Sequence, residues 1–118
     1  YGHQAGDQVL YTVAQGVANS VANNGVVCRY GGEELVVFFP KKNSKQVVPI
    51  MESVRENIEK IKTECGSKQI AVTVSCGVSH REIESQSVAD IIEAADKALY
   101  KAKHGGRNQV KIGKIVAR

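Results

Sequence analysis

The chain has 118 residues, 42% of them hydrophobic and 24% charged, which is the size and balance of one ordinary soluble globular domain. No apolar run approaches the ~20 residues that a membrane helix needs, and no signal peptide is visible. The net charge of +4 is a mild excess, and 5% aromatics without a Trp give little support to a stacking platform for single-stranded nucleic acid.

The first predicted element is a helix over about Asp7 to Asn23. Val9, Leu10, Val13, Ala14, Val17, Ala18 and Val21 recur on one face, and Asn23-Asn24-Gly25 stops it. Val26–Tyr30 reads as a strand, Gly31-Gly32 as a turn and Glu34–Phe39 as a second strand, so the two form an antiparallel hairpin. Val47, Met51, Val54, Ile58, Ile61 and Cys65 then return to helical spacing. Pro49 places the start of that helix near itself or kinks it, and Cys65-Gly66 closes it. Val72, Val74, Cys76 and Val78 alternate with Ala71, Thr73, Ser75 and Gly77, a strand with one bulky and one small face. Ser87 and Asp90 have the spacing of a capping box for a last helix carrying Val88, Ile91, Ile92, Ala95, Ala98, Leu99 and Ala102. Gly105-Gly106 ends it, and Gln109–Ile112 reads as a short strand. The order α-β-β-α-β-α-β predicts a single α+β sandwich, a mixed sheet with its hairpin in the middle, packed by helices.

Cys28, Cys65 and Cys76 are odd in number and lack CxxC spacing. That argues against a disulfide framework or a zinc knuckle and fits a reducing cytoplasm, each thiol serving as a small buried hydrophobe. His3, His80 and His104 have no metal-site spacing and read as surface or turn residues. Ser75 and Cys76 have no paired base, so nucleophilic catalysis has no support. Much of the basic excess lies late in the chain, at Lys97, Lys101, Lys103, Arg107, Lys111, Lys114 and Arg118. A solvated face accounts for such a bias, and so does a phosphate-bearing partner.

Four places carry possible chemistry. Glu33 and Glu34 are adjacent carboxylates at the hairpin tip. They are either solvated or neutralised by a hard divalent cation, since apolar runs flank them and like charges repel. Gly31 and Gly32 let a ligand approach the backbone. Lys103 suits the negative end of a helix, but Arg107 lies beyond the Gly-Gly break, and the two together suit a polyphosphate. Asp7 is either a helix cap or an acid able to accept two hydrogen bonds from the N1 and N2 edge of guanine.

The motifs "YGHQAGD", "RYGGEEL" and "ADKALYKAKHGGRN" stand in the order found in the GGDEF domain of bacterial diguanylate cyclases, and the whole chain resembles that family. The resemblance implies a palm-like fold shared with nucleotidyl cyclases. It implies a homodimer that joins two GTP into cyclic di-GMP and releases two pyrophosphates, with Mg²⁺ or Mn²⁺ as cofactor, no nucleic acid and a sensor domain fused N-terminally. It implies a cytoplasmic domain, free or tethered to a membrane through that N-terminal region. Glu33, third in the signature, then ligates the metal near the attacking 3′-hydroxyl and is the catalytic residue. Glu34 is grouped with it as a metal residue, Gly31 and Gly32 lie close to the nucleotide, Asp7 reads guanine, and Lys103 and Arg107 hold the terminal phosphates. The alternative is a GTP-binding regulatory module without turnover.

Three departures accompany the resemblance. The family domain begins with a strand and a "DxDxFKxxND" motif that supplies the second metal Asp, and this sequence lacks it. The chain thus reads as an N-terminally incomplete GGDEF domain over residues 1–118, short of one metal ligand. The family's product-inhibition motif, RxxD, is separated from the signature by five residues, a window that here reads Ala22, Asn23, Asn24, Gly25. Leu35 replaces the signature Phe, a change expected to affect packing more than chemistry.

Overall fold

The computed structural model describes residues 3–31 and 34–113. Helix α1 spans His3–Val21, and a 3-10 turn, Ala22–Asn24, follows it. Strands β1, Val26–Gly31, and β2, Glu34–Phe38, pair antiparallel with Val26 opposite Phe38 and Gly31 opposite Glu34, as the apolar runs predicted. Helix α2 covers Ser44–Lys60, β3 Lys62–Cys65, β4 Lys68–Ala71, β5 Cys76–Val78, α3 Val88–His104 and β6 Val110–Ile112.

Four expectations need correction. Helix α1 begins at His3, so Asp7 is its fifth residue and cannot be its cap. Helix α2 neither starts nor stops where the pattern placed it. Asn43 caps it through a reciprocal box with Gln46, at 2.9 Å in each direction. The helix then runs through Pro49, whose ring leaves only the carbonyl of exposed Lys45, in the first turn, without its helical donor. It ends at Lys60, because the Ile61 N–H bonds back to the Ile58 carbonyl at 3.0 Å and the chain turns extended. A second antiparallel hairpin, β3–β4, follows around Gly66-Ser67, where the sequence had suggested the tail of a helix. The predicted strand over Val72–Val78 shrinks to its last three residues, which pair in parallel with β6.

Helices α1 and α2 pack over the β1–β2 hairpin. Val17, Val21, Val54 and Ile58 form the buried centre, with Val27, Leu35, Val37, Phe39, Val72 and Val74 closing around it. On the other side α3 lies against β5 and β6. Its contact stripe is made of small residues, Ala94, Ala98 and Ala102, all buried, so the helix axis can approach the strands closely. The result is a mixed α+β arrangement of two antiparallel hairpins and one parallel pair. Among the described residues β2 and β5 each keep one strand edge unpaired.

Candidate functional site

The space between β2 and β5 is a cleft of about 890 Å³. Leu35, Val74, Val78 and Leu99 supply apolar wall, and Glu34, Asp96, Lys103 and Arg107 are among its charged lining. Three of the residues singled out in the sequence, Glu34, Lys103 and Arg107, therefore meet on one cavity although they are far apart in the chain. Glu34 is exposed, at the first position of β2. Gly31 ends β1 opposite it. Gly32 and Glu33 lie outside the described residues. Asp7 is exposed on α1 and is not part of the cleft lining.

The end of α3 explains how Lys103 and Arg107 come to the cleft. The Ser87–Asp90 box starts the helix as predicted, at 3.1 and 3.0 Å. The helix stops in a Schellman turn: Gly106 has φ +117, a value open to glycine, and the Arg107 N–H donates to the Ala102 carbonyl at 2.9 Å. Arg107 and Asn108 continue in the left-handed region, at φ 62 and 46. Lys103 is half-buried in the last turn and Arg107 is exposed just past it. Among the described residues neither is in an ion pair. Two cations on one cleft have the chemistry to hold an anion, Arg by its planar fork and Lys as a point charge.

Other residues beside the cleft carried no chemical signal of their own in the sequence, although Asn108 closes the last quoted motif. Asn108 is held by Arg55 and Glu59 of α2 and by Ser75. Arg55 Nη1 donates to Asn108 Oδ1 at 3.0 Å, Asn108 Nδ2 donates to Glu59 Oε2 at 2.5 Å, and the Asn108 N–H donates to Ser75 Oγ at 3.1 Å. The Arg55 pKa is raised, first by its hydrogen bond to Glu52, against some loss of hydration, with the charges of Glu52, Glu56 and Glu59 adding. His80 is not a free surface residue: its Nδ1 accepts from the Ser44 N–H at 3.0 Å and lies 2.8 Å from Ser44 Oγ, at the start of α2. Cys28 is exposed, contrary to the expected buried thiol, while Cys76 is half-buried on the cleft wall and its pKa is pushed up to about 11, first by loss of hydration.

A metal fits the chemistry of the hairpin tip. The donors there are hard carboxylate oxygens, and Mg²⁺ commonly takes only one or two of these, completing its shell with water and substrate phosphates. Glu34 faces the cleft, and Glu33 precedes it in the chain. Among the described residues no helix is long and apolar enough to cross a membrane.

Comparison with known proteins agrees with this geometry. The family described as "Diguanylate cyclase, GGDEF domain" matches residues 1–109. Diguanylate cyclase A of Treponema denticola is 39% identical over 114 residues, which is 97% of this chain and 31% of that protein. The chain thus spans about a third of the length of that relative. The coiled coil and GGDEF domain of DgcB from Caulobacter crescentus, solved in complex with c-di-GMP, superposes with a TM-score of 0.84 at 32% identity, over 96% of this chain and 60% of that one. Diguanylate cyclase SiaD from Pseudomonas aeruginosa, solved with its activator SiaC, gives 0.88 at 29% identity, over 96% of this chain and 43% of that one.

Proposed function

The chain belongs to the GGDEF domain family of diguanylate cyclases, and from that membership we propose that it is a catalytic domain which joins two GTP into cyclic di-GMP and releases two pyrophosphates. The observation that carries this is the convergence of Glu34, Lys103 and Arg107 on one cleft, with the two cations unpaired among the described residues and Glu33 adjacent to Glu34.

Each residue has a distinct task in this reading. Lys103 and Arg107 bind the terminal phosphates and hold the triphosphate in one orientation. Glu33 and Glu34 hold Mg²⁺ or Mn²⁺, which supplies Lewis-acid stabilisation of charge on the displaced pyrophosphate. Gly31 and Gly32 let the nucleotide lie against the backbone. Asp7 reads the N1 and N2 edge of guanine. Catalysis needs a homodimer, each subunit presenting one GTP to the other. A further strand, seated between the free edges of β2 and β5, fills the cleft's inner wall and brings the second metal carboxylate. A sensor domain ahead of it sets the activity.

The test is incubation with GTP and Mg²⁺, with cyclic di-GMP read by mass spectrometry, on the chain alone and on a protein carrying the upstream strand. Product is expected with the strand present, and Glu33→Ala removes it. Near-normal turnover by Glu33→Ala would refute the assignment. GTP binding without product in both proteins would instead favour a regulatory module.

A further inference from the structure

Arg107 is an arginine in a backbone conformation that arginine disfavours. A left-handed residue other than Gly, Asn or Asp costs about 1 kcal/mol, and Arg107 is followed by a second left-handed residue, Asn108. Asn108 tolerates the conformation, but the structure goes further than tolerance. Every hydrogen-bonding group of Asn108 apart from its carbonyl is engaged by a different residue: its N–H by Ser75, its Oδ1 by Arg55, its Nδ2 by Glu59. The anchor spans 33, 53 and 49 residues of sequence separation respectively. Behind it, Gln109 Nε2 donates to the Arg107 carbonyl at 3.1 Å, and the Gln109 carbonyl accepts from the Cys76 N–H at 2.9 Å. Among the described residues the Arg107 side chain, on the cleft, makes no such bond.

We infer that Arg55, Glu59 and Ser75 clamp Asn108 and thereby fix the backbone from which Arg107 reaches a bound polyphosphate. They are positioning residues: each acts through the turn, and although Ser75 also lines the cleft, its Oγ is taken by the Asn108 N–H. The inference rests on the phosphate role given to Arg107 above. Physically, a flexible turn would spend part of the Arg107–phosphate interaction on ordering the arginine, whereas a pinned turn has met that cost on folding.

The experiment is calorimetric titration of the chain with GTP, inorganic tripolyphosphate and guanosine, each with Mg²⁺. Arg107→Ala should weaken GTP and tripolyphosphate and leave guanosine unchanged. Asn108→Gly keeps a residue at ease with positive φ while deleting the anchor, and should weaken the two phosphate ligands about fivefold with guanosine again unchanged. In an Arg107→Ala background Asn108→Gly should add nothing, because the clamp acts only through that arginine. Glu59→Gln, which retains an oxygen acceptor, should keep the affinity that Glu59→Ala loses. Unaltered phosphate affinity in Asn108→Gly, with Arg107→Ala impaired, overturns the clamp and leaves the phosphate site standing. If the unmodified chain binds neither GTP nor tripolyphosphate, or Arg107→Ala binds both normally, the phosphate reading fails and takes the clamp with it.

Discussion

Gly77 of β5 lies directly against the Ala95 carbonyl of α3: a Cβ on Gly77 would stand 2.0 Å from that oxygen and 2.4 Å from the Leu99 nitrogen. Both are backbone atoms of one helix, so no rotamer change relieves the overlap. Gly77→Ala should lower stability by about 3 kcal/mol or more, since overpacking against backbone moves the whole helix. Urea denaturation measures it. A midpoint equal to that of the unmodified chain would mean that α3 does not dock on β5 as described.

The cysteines should differ in reactivity. Cys28 is exposed, whereas Cys76 is held as the protonated thiol by burial, its pKa pushed up from 9.0 to about 11. Because the folded state keeps this proton longer than the unfolded chain, its contribution to stability is intact below pH 9 and falls as pH rises toward 11. The loss should be on the order of 2 kcal/mol. A thiol reagent at pH 8 should label Cys28 quickly and Cys76 more slowly, because the raised pKa leaves little Cys76 thiolate. Equal rates for the two in the native protein would contradict the burial.

His80 ties the loop after β5 to the start of α2. Replacing it by Phe removes the acceptor for the Ser44 N–H, and Ser44 is buried, so about 1–3 kcal/mol should be lost. His80→Asn, which offers an amide oxygen in place of the ring nitrogen, should recover part of that. Thermal melts of the two variants decide it, and a His80→Phe protein as stable as the parent would show the bond to be incidental.

Guanine selectivity provides a separate check on Asp7. With capping excluded by a helix that starts four residues earlier, the acid has no structural task at the helix end. Asp7→Ser should narrow the preference for GTP over ATP in the protein carrying the upstream strand, measured as the ratio of their binding constants. Full retention of the preference would remove Asp7 from the site.

Product feedback should be weak. The window Ala22 to Gly25 holds neither the Arg nor the Asp of the family's inhibitory motif. Cyclic di-GMP should therefore bind only in competition with GTP. Tight binding that GTP fails to displace, and that Asn24→Ala reduces, would disprove this.

Local chemistry made much of the fold legible. The Ser87–Asp90 box, the 3.6-residue stripe of α1 and the apolar runs of β1 and β2 each encode their element within a few neighbouring residues. The β3–β4 hairpin leaves little trace in the sequence because its strands carry little apolar alternation: Thr63 is buried, but Lys62, Glu64, Lys68 and Gln69 are exposed. A Gly-Ser pair between two four-residue runs was the only available signal.

The motif residues Glu34, Lys103 and Arg107 could be named from sequence, because carboxylate pairs and a Lys and Arg around a Gly-Gly break have chemistry of their own. Sequence also determined where α3 begins and ends, since capping boxes and Schellman turns close within six residues. That these groups share one cleft, and that Arg55, Glu59 and Ser75 hold the turn beneath Arg107, was decided only by tertiary structure. Those bonds join residues 33 to 53 positions apart. No local periodicity records such a pairing, because it exists only once α2, β5 and the end of α3 have packed together.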